Sequence, residues 1–441
     1  MPSVDPVIGN GASTVSSSIN LIKTIIGAGL LSMPLAYSTD GSIFGTFIIL
    51  VAAITSGFGL VLQALVSKFA PVGNATFYNL CQITYPQLSV IFDIAIAIQC
   101  FGCAVSYLVL IGDLMPTIVT HIPHVAERHH RLFWLVASTI ATVPLSFLKN
   151  LDSLKYTSIL GLVAVAYLTL FVVGHWFAND IPRNGIISYW PSSTTAVFST
   201  FSIIVFAFTG HQNMFSIINE ARDKSIGKLV SLINFAIVLA ALLFIIVGLT
   251  GYLTFGANVS GNIILMYPAN WATTLGRFCI VFMVLFSFPL MLHPARISVN
   301  NVYFAAKKKF IQVEERVNET TQLLQPDTSV QNENEIDPEL QMKEVVVPFP
   351  RETFIGITIT LLVVGYFLAI TVKSFAFILA IVGATGSTSI SFILPGLFGY
   401  KLIGSEVDAS KAEKAVKYLS LSLTVWGVIV MFVCLYSSFA L

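Results

Sequence analysis

The sequence predicts an all-α polytopic membrane protein of eleven transmembrane helices, built as two inverted five-helix repeats plus one extra helix. Three observations carry that prediction. Of 441 residues, 56% are hydrophobic and only 10% charged, and the mean hydropathy is +0.84. Globular domains carry about 25% charged residues, so lipid must be the solvent for most of this chain. Apolar runs close to the ~20 residues that cross a bilayer recur at about 16–38, 42–67, 88–120, 131–148, 154–177, 194–219, 227–253, 271–300, 351–372, 374–400 and 417–439. The first and sixth runs are interrupted by polar, glycine-containing strings, Ile26-Gly27-Ala28-Gly29 and Phe208-Thr209-Gly210-His211-Gln212-Asn213. Breaks in spans five apart point to a repeat, and because five is odd the second copy crosses in the inverted sense.

The elements follow in order. Residues 1–15 are polar without a basic run, so they read as a short cytosolic tail, and the first apolar stretch reads as a span rather than a cleavable signal. Residues 16–177 form the first five-helix repeat and 194–400 the second, with 417–439 as the eleventh helix. Span 3 holds Asp93 near its start, placed to pair with Lys155 or to serve a gate, and Asp113 near its other end. Cys100 and Cys103 share one face of that span, and no second pair or nearby histidine completes a redox or metal site. Glu220 and Asp223 end span 6 as interfacial partners for Arg222, Lys224 and Lys228. Residues 301–350 are polar and charged and read as a disordered cytosolic loop.

The lysines and arginines orient the chain. With the N-terminus cytosolic, seventeen of them fall on the cytosolic side, against Arg128, Arg131, Arg183 and Lys373 on the other, while Lys23 and Arg277 lie inside spans. The positive-inside rule therefore puts the N-terminus and the long loop in the cytosol and the C-terminus in lumen or exterior. Asn258-Val259-Ser260 then falls on the non-cytosolic side and is a glycosylation candidate, whereas Asn74 and Asn318 begin cytosolic sequons. A net charge of +1 gives no reason to expect nucleic acid as a partner. The 34 phenylalanines are lipid-facing bulk. No His-Glu-x-x-His string or paired intramembrane aspartates occur, so no catalytic residues, metal ligands or cofactor are expected and the chain is not read as an enzyme.

The breaks carry the chemistry. Unwinding a helix in mid-membrane frees backbone N–H and C=O groups that hydrocarbon cannot satisfy. The N-terminus of a half-helix offers free N–H donors and a positive dipole end, suited to a carboxylate. Gly27, Ala28 and Gly29 thus read either as a cradle for an anionic head group or as small residues that only permit close helix packing. Lys23 lies one turn before Gly27. A mid-span lysine costs roughly 2.5–3.5 kcal/mol on insertion, so it either snorkels to the interface or acts as a fixed or titrating cation. His211, inside the second break, bonds substrate, carries a proton or is structural.

"KTIIGAGLLSMPLAYS", "FAFTGHQNMFSIINE", "FPLMLHPARISV" and "VGATGSTSISFILPGLFGY" resemble, in this order, the first, sixth, eighth and tenth helices of the amino acid/auxin permease superfamily. The resemblance spans nearly the whole chain and is strongest to fungal vacuolar amino acid transporters that handle neutral amino acids such as glutamine. It implies a LeuT-type fold and a substrate site at the unwound parts of helices 1 and 6. Thr24, Gly27, Ala28, Gly29, Phe208, Thr209, Gly210 and His211 would bind substrate there, with a hydroxyl from helix 8, Ser287, opposite. It also implies coupling to the proton gradient of an acidic organelle through Lys23 or His211, with transport from vacuole or lysosome to cytosol. Sodium-coupled animal relatives carry asparagine where Lys23 stands, which argues against sodium. A sodium-coupled plasma-membrane importer and a non-transporting amino acid sensor of the same fold are the rival readings. In the cytosolic loop, Glu319-Thr320-Thr321-Gln322-Leu323-Leu324 matches an acidic dileucine signal for a sorting adaptor. The expected partners are thus a small neutral amino acid, a proton, the bilayer and that adaptor.

Overall fold

The computed structural model describes residues 11–71, 73–148, 155–183, 185–191, 193–322, 348–406 and 408–440. Among them every regular element is helical. The first span is two helices. Ser13 caps α1 (Thr14–Ile25) by accepting the Ser16 N–H, and the helix stops where Ile26 and Gly27 leave helical geometry. A tight 3₁₀ turn, Ala28–Ser32, leads into α2 (Met33–Asp40), where Pro34 lies in the first turn, the place its missing N–H is tolerated. The two halves meet at a bend of 42°. The chain continues through α3 (Ser42–Val66), a short α4 (Phe77–Thr84), α5 (Ser89–Ile118), α6 (His130–Ser146) and α7 (Lys155–Ala178).

The second broken span is α8 (Thr194–Ala207) and α9 (His211–Glu220), separated by Phe208, Thr209 and Gly210. Then come α10 (Ile226–Phe255), α11 (Trp271–Gln322), α12 (Arg351–Thr371), α13 (Phe375–Val382), α14 (Leu394–Leu402) and α15 (Lys411–Ala440). Between α13 and α14 the same span widens into π-helical turns at Gly383–Ser387 and Ser389–Ile393. Apolar side chains face both ways. Leu21, Leu60, Val109 and Phe244 are fully buried between helices, while Ile54, Ile140, Leu170 and Phe432 point outward, 63% or more exposed. An apolar exterior of that extent fits a lipid solvent.

Nine helices among the described residues are long and apolar enough to cross a membrane, and ten with the bent α1–α2 pair. The expected fourth span is α6, only 17 residues long, about 26 Å at 1.5 Å per residue, so length alone does not yield eleven. One expectation, the loop at 301–350, needs correction. Residues 301–350 are not a loop throughout: α11 runs on to Gln322. Ala305, Ala306, Lys307, Gln312, Glu314 and Glu315 are strong helix formers, and no glycine or proline intervenes before Pro326. The connection after α3 holds the short α4, capped by Thr76 through the Asn79 N–H. Of the sorting string, Glu319 lies on α11, and Leu323 and Leu324 fall outside the described residues.

Candidate functional site

The two breaks lie side by side because small residues let them. A methyl on Gly29 would stand 2.7 Å from the Ala207 Cβ, and one on Gly210 would stand 2.8 Å from the Ile25 side chain. Thr24 donates to the Asn20 carbonyl at 2.8 Å and accepts from Asn213 Nδ2 at 3.3 Å, tying α1 to α9. Between the breaks is a cavity of about 30 Å³, lined by Thr24, Ile25, Gly27, Ala28, Gly29, Gln99, Cys103, Tyr107, Phe206, Ala207, Thr209, Gln212 and Met291. That is room for about two waters, so the half-helices must part for anything larger to enter.

Its backbone is under-satisfied on both sides. Among the described residues no acceptor takes the N–H of Ala28 or Gly29, while Leu30 N–H already bonds Gly27 O at 3.2 Å. At the second break, the last turn of α8 spends most of its carbonyls. Phe208 N–H bonds Ile204 O, Thr209 N–H bonds Phe206 O, and the Thr209 hydroxyl bonds Val205 O. No donor among the described residues reaches the Ala207 carbonyl. Two free donors at the start of one helix and a free acceptor at the end of another match the two charged ends of a zwitterion. Gln212 adds a buried Oε1 without a donor.

The expected residues divide. Thr24, Gly27, Ala28, Gly29 and Thr209 line the cavity, and Phe208, Gly210, His211 and Ser287 do not. Phe208 packs edge-on against Phe244, with ring centroids 4.9 Å apart. His211 points to α3 and the tenth span: Nε2 is 3.1 Å from the Ser56 carbonyl and Nδ1 is 3.0 Å from the Ser391 hydroxyl. A carbonyl only accepts, so Nε2 carries the hydrogen and Nδ1 accepts from Ser391. Ser287 is half-buried on α11, one turn from Met283 and one from Met291. Lys23 reaches toward α7, its Cε 3.7 Å from where a Gly161 Cβ would be. Asn258 is exposed at the end of a short 3₁₀ turn.

Gln99, Cys103 and Tyr107 were missed as cavity residues. They recur every fourth position on α5 and so form one face, a more polar stripe in an otherwise apolar span. Gln99 Oε1 accepts from Ser387 Oγ at 2.6 Å, which fastens this stripe to the π-helical turns. Asp93 accepts from Asn301 Nδ2 at 3.1 Å, and Asp113 pairs with Arg131 at 3.0 Å.

Residues 10–440 match a family described as transmembrane amino acid transporter protein. The chain belongs to that family. Within it, the chain is 42% identical to vacuolar amino acid transporter 6 of Saccharomyces cerevisiae, over 96% of this chain and 98% of that one. It is 40% identical to vacuolar amino acid transporter 7 of the same yeast, over 96% and 97%. It is 26% identical to sodium-coupled neutral amino acid transporter 7 of Danio rerio, over 69% and 68%. Among solved structures, MhsT in complex with L-phenylalanine superposes with a TM-score of 0.54 at 13% identity, covering 97% of this chain and 99% of that one. That likeness places the chain in the LeuT-like fold. The family is one of amino acid transporters and not of enzymes.

Proposed function

We propose that this transporter moves a small neutral amino acid together with a proton, from an acidic vacuole or lysosome to the cytosol. The observation that carries the reading is that the Ala28 and Gly29 N–H groups and the Ala207 carbonyl, all without a backbone partner among the described residues, belong to residues lining one cavity. The substrate carboxylate sits on the former and its amine on the latter. Gln99, Gln212 and Tyr107 remain for the side chain, which suits a glutamine-like amide rather than a charge. The vacuolar relatives support the membrane, and a cavity too small for an amino acid supports alternating access, with the broken halves α1–α2 and α8–α9 parting on one side at a time.

We take the chain to have eleven spans in two inverted repeats of five plus one, with α6 as the short fourth, the N-terminus cytosolic and the C-terminus luminal. Lys23 stands as the coupling group, a fixed or titrating amine beside the first break. His211, held on both ring nitrogens, braces the second. One pH unit is worth about 1.36 kcal/mol per proton, so two units support a roughly hundredfold concentration ratio for one proton per substrate. The test is amino acid flux in sealed vesicles with an imposed pH gradient, with and without a protonophore and with and without sodium. Accumulation that survives the protonophore refutes proton coupling. Accumulation that requires sodium supports the reading suggested by the Danio rerio relative.

A further inference from the structure

Asp40 ends α2 and is completely buried. Its Oδ1 accepts from the Thr39 hydroxyl at 2.9 Å and from the Thr200 hydroxyl of α8 at 3.0 Å, and the two hydroxyls are themselves 2.9 Å apart. Its Oδ2 is buried with no hydrogen-bond partner among the described residues. The segment 188–190 roofs the site: Ser42 N–H bonds Ser188 O, and a methyl on Gly41 would collide with the Tyr189 backbone. Among the described residues no cation is paired with Asp40.

The surroundings hold almost nothing that titrates. Helices α3 and α8 contain no titratable residue, and neither do the 3₁₀ turns at Ala28–Ser32 and Gly256–Asn258 that also touch α2. Helix α10 has Tyr252, stacked on Tyr37 at 6.3 Å, and Lys228 near its far end. Tyr37 on α2 bonds Thr46, and Tyr189 lies in the roof. Among the described residues, Asp40 is therefore the one acid at the seam where α2 and α8, halves of the two broken spans, meet.

We propose that Asp40 with Thr39 and Thr200 is a proton-binding site that locks α2 to α8 on the luminal side. As a carboxylate, Asp40 takes both hydroxyl hydrogens at Oδ1 and leaves Oδ2 without a donor, which calls for water and hence an open seam. On taking a proton the carboxyl becomes an O–H donor to Thr200 Oγ. The displaced hydroxyl hydrogens turn to Ala36 O and Ala196 O, already 2.9 and 3.0 Å away. No heavy atom moves, so the closed seam accommodates the acid. The proton enters and leaves from the same side. It gates the cycle in response to luminal acidity and is not the proton carried across.

This inference rests on the transport reading above, and its test separates the two. Purified protein in vesicles of known orientation is assayed for amino acid flux while pH is varied on the α2–α8 side alone. The wild-type rate should respond by up to about tenfold per pH unit, the limit for one titrating group, and Asp40→Asn should flatten that response. The accumulation reached at steady state under a fixed gradient should be unchanged in Asp40→Asn. Thr200→Val, a milder change, should move the midpoint to higher pH because the carboxylate loses a donor. Infrared difference spectra on acidification should show the carbonyl band of a protonated acid that Asp40→Asn removes. A variant that keeps the wild-type pH profile, or one that loses steady-state accumulation together with it, overturns the proposal. Wild-type protein with no amino acid flux at any pH overturns the transport reading instead, and the infrared band still decides whether Asp40 binds a proton.

Discussion

Gly27 and Gly29 are two residues apart and face different demands. A methyl added at Gly27, which lines the cavity, meets nothing within 4 Å, whereas one at Gly29 drives into Ala207. Gly29→Ala should therefore cost stability, about 1–3 kcal/mol as for other overpacked sites, read as a lower melting temperature in detergent. Gly27→Ala should fold and melt as the wild type does, yet bind substrate more weakly because the methyl occupies carboxylate space. Equal loss of stability in both would mean that Gly27 is a packing residue. Gln99→Leu should strand the Ser387 hydroxyl at a cost of about 1–3 kcal/mol and raise KM for amide side chains more than for apolar ones. The sequence exposed the breaks because glycine and polar residues stand out in an apolar run. It did not expose which side chains look inward, since an unwound string has no period. Phe208 and His211 lie within the right string and face away from the cavity, while Gln99, Cys103 and Tyr107 sat on a regular helix where a period-four stripe was available to read.

At the scale of elements, a buried guanidinium fixes how three helices meet. Arg296 of α11 donates to the Ser146 carbonyl of α6 at 2.7 Å, to Thr358 of α12 at 3.2 Å and to His293 at 3.0 Å, with the Phe354 ring 4.0 Å from its centre. Arg296→Lys keeps the charge and loses the planar fork. With each bond to a charged donor worth about 1.5–3 kcal/mol, it should lower the melting temperature markedly. Asp113→Asn, by contrast, removes one partner of a partly exposed pair and should cost no more than about 1 kcal/mol. The polar extension of α11 does not register as an apolar run: lysine, glutamate and glutamine have helix propensities as high as that of leucine.

Over the whole molecule, the apolar composition and the charge bias decide far more than any motif. An all-helical membrane architecture follows from runs of apolar residues because the bilayer permits little else. Orientation is the part most open to test. In a eukaryotic host, Asn258→Gln should abolish a glycan-dependent mobility shift, whereas Asn318→Gln should leave it intact. Sugar on Asn318 would invert the topology and move Asp40 to the cytosolic face. Replacing Leu323 and Leu324 with alanine should redirect the protein from the vacuolar or lysosomal membrane without altering flux per molecule, if the dileucine string is read by an adaptor.

The C-terminal end of α9 is held largely by main chain. Ala12 forms a parallel bridge with Ala221, its N–H to Glu220 O at 2.8 Å and its carbonyl to Arg222 N–H at 2.9 Å. On the opposite flank the Asn219 amide exchanges bonds with the N–H and C=O of Ala75. The first clasp is written entirely in main chain. Its side-chain demand falls on Gly11, where a methyl would meet the Glu220 carbonyl at 2.7 Å and the Arg222 N–H nitrogen at 2.8 Å. Ala12→Pro, which deletes that N–H, should free this segment from the sixth span and speed opening at that end of α9, read as faster substrate flux in vesicles.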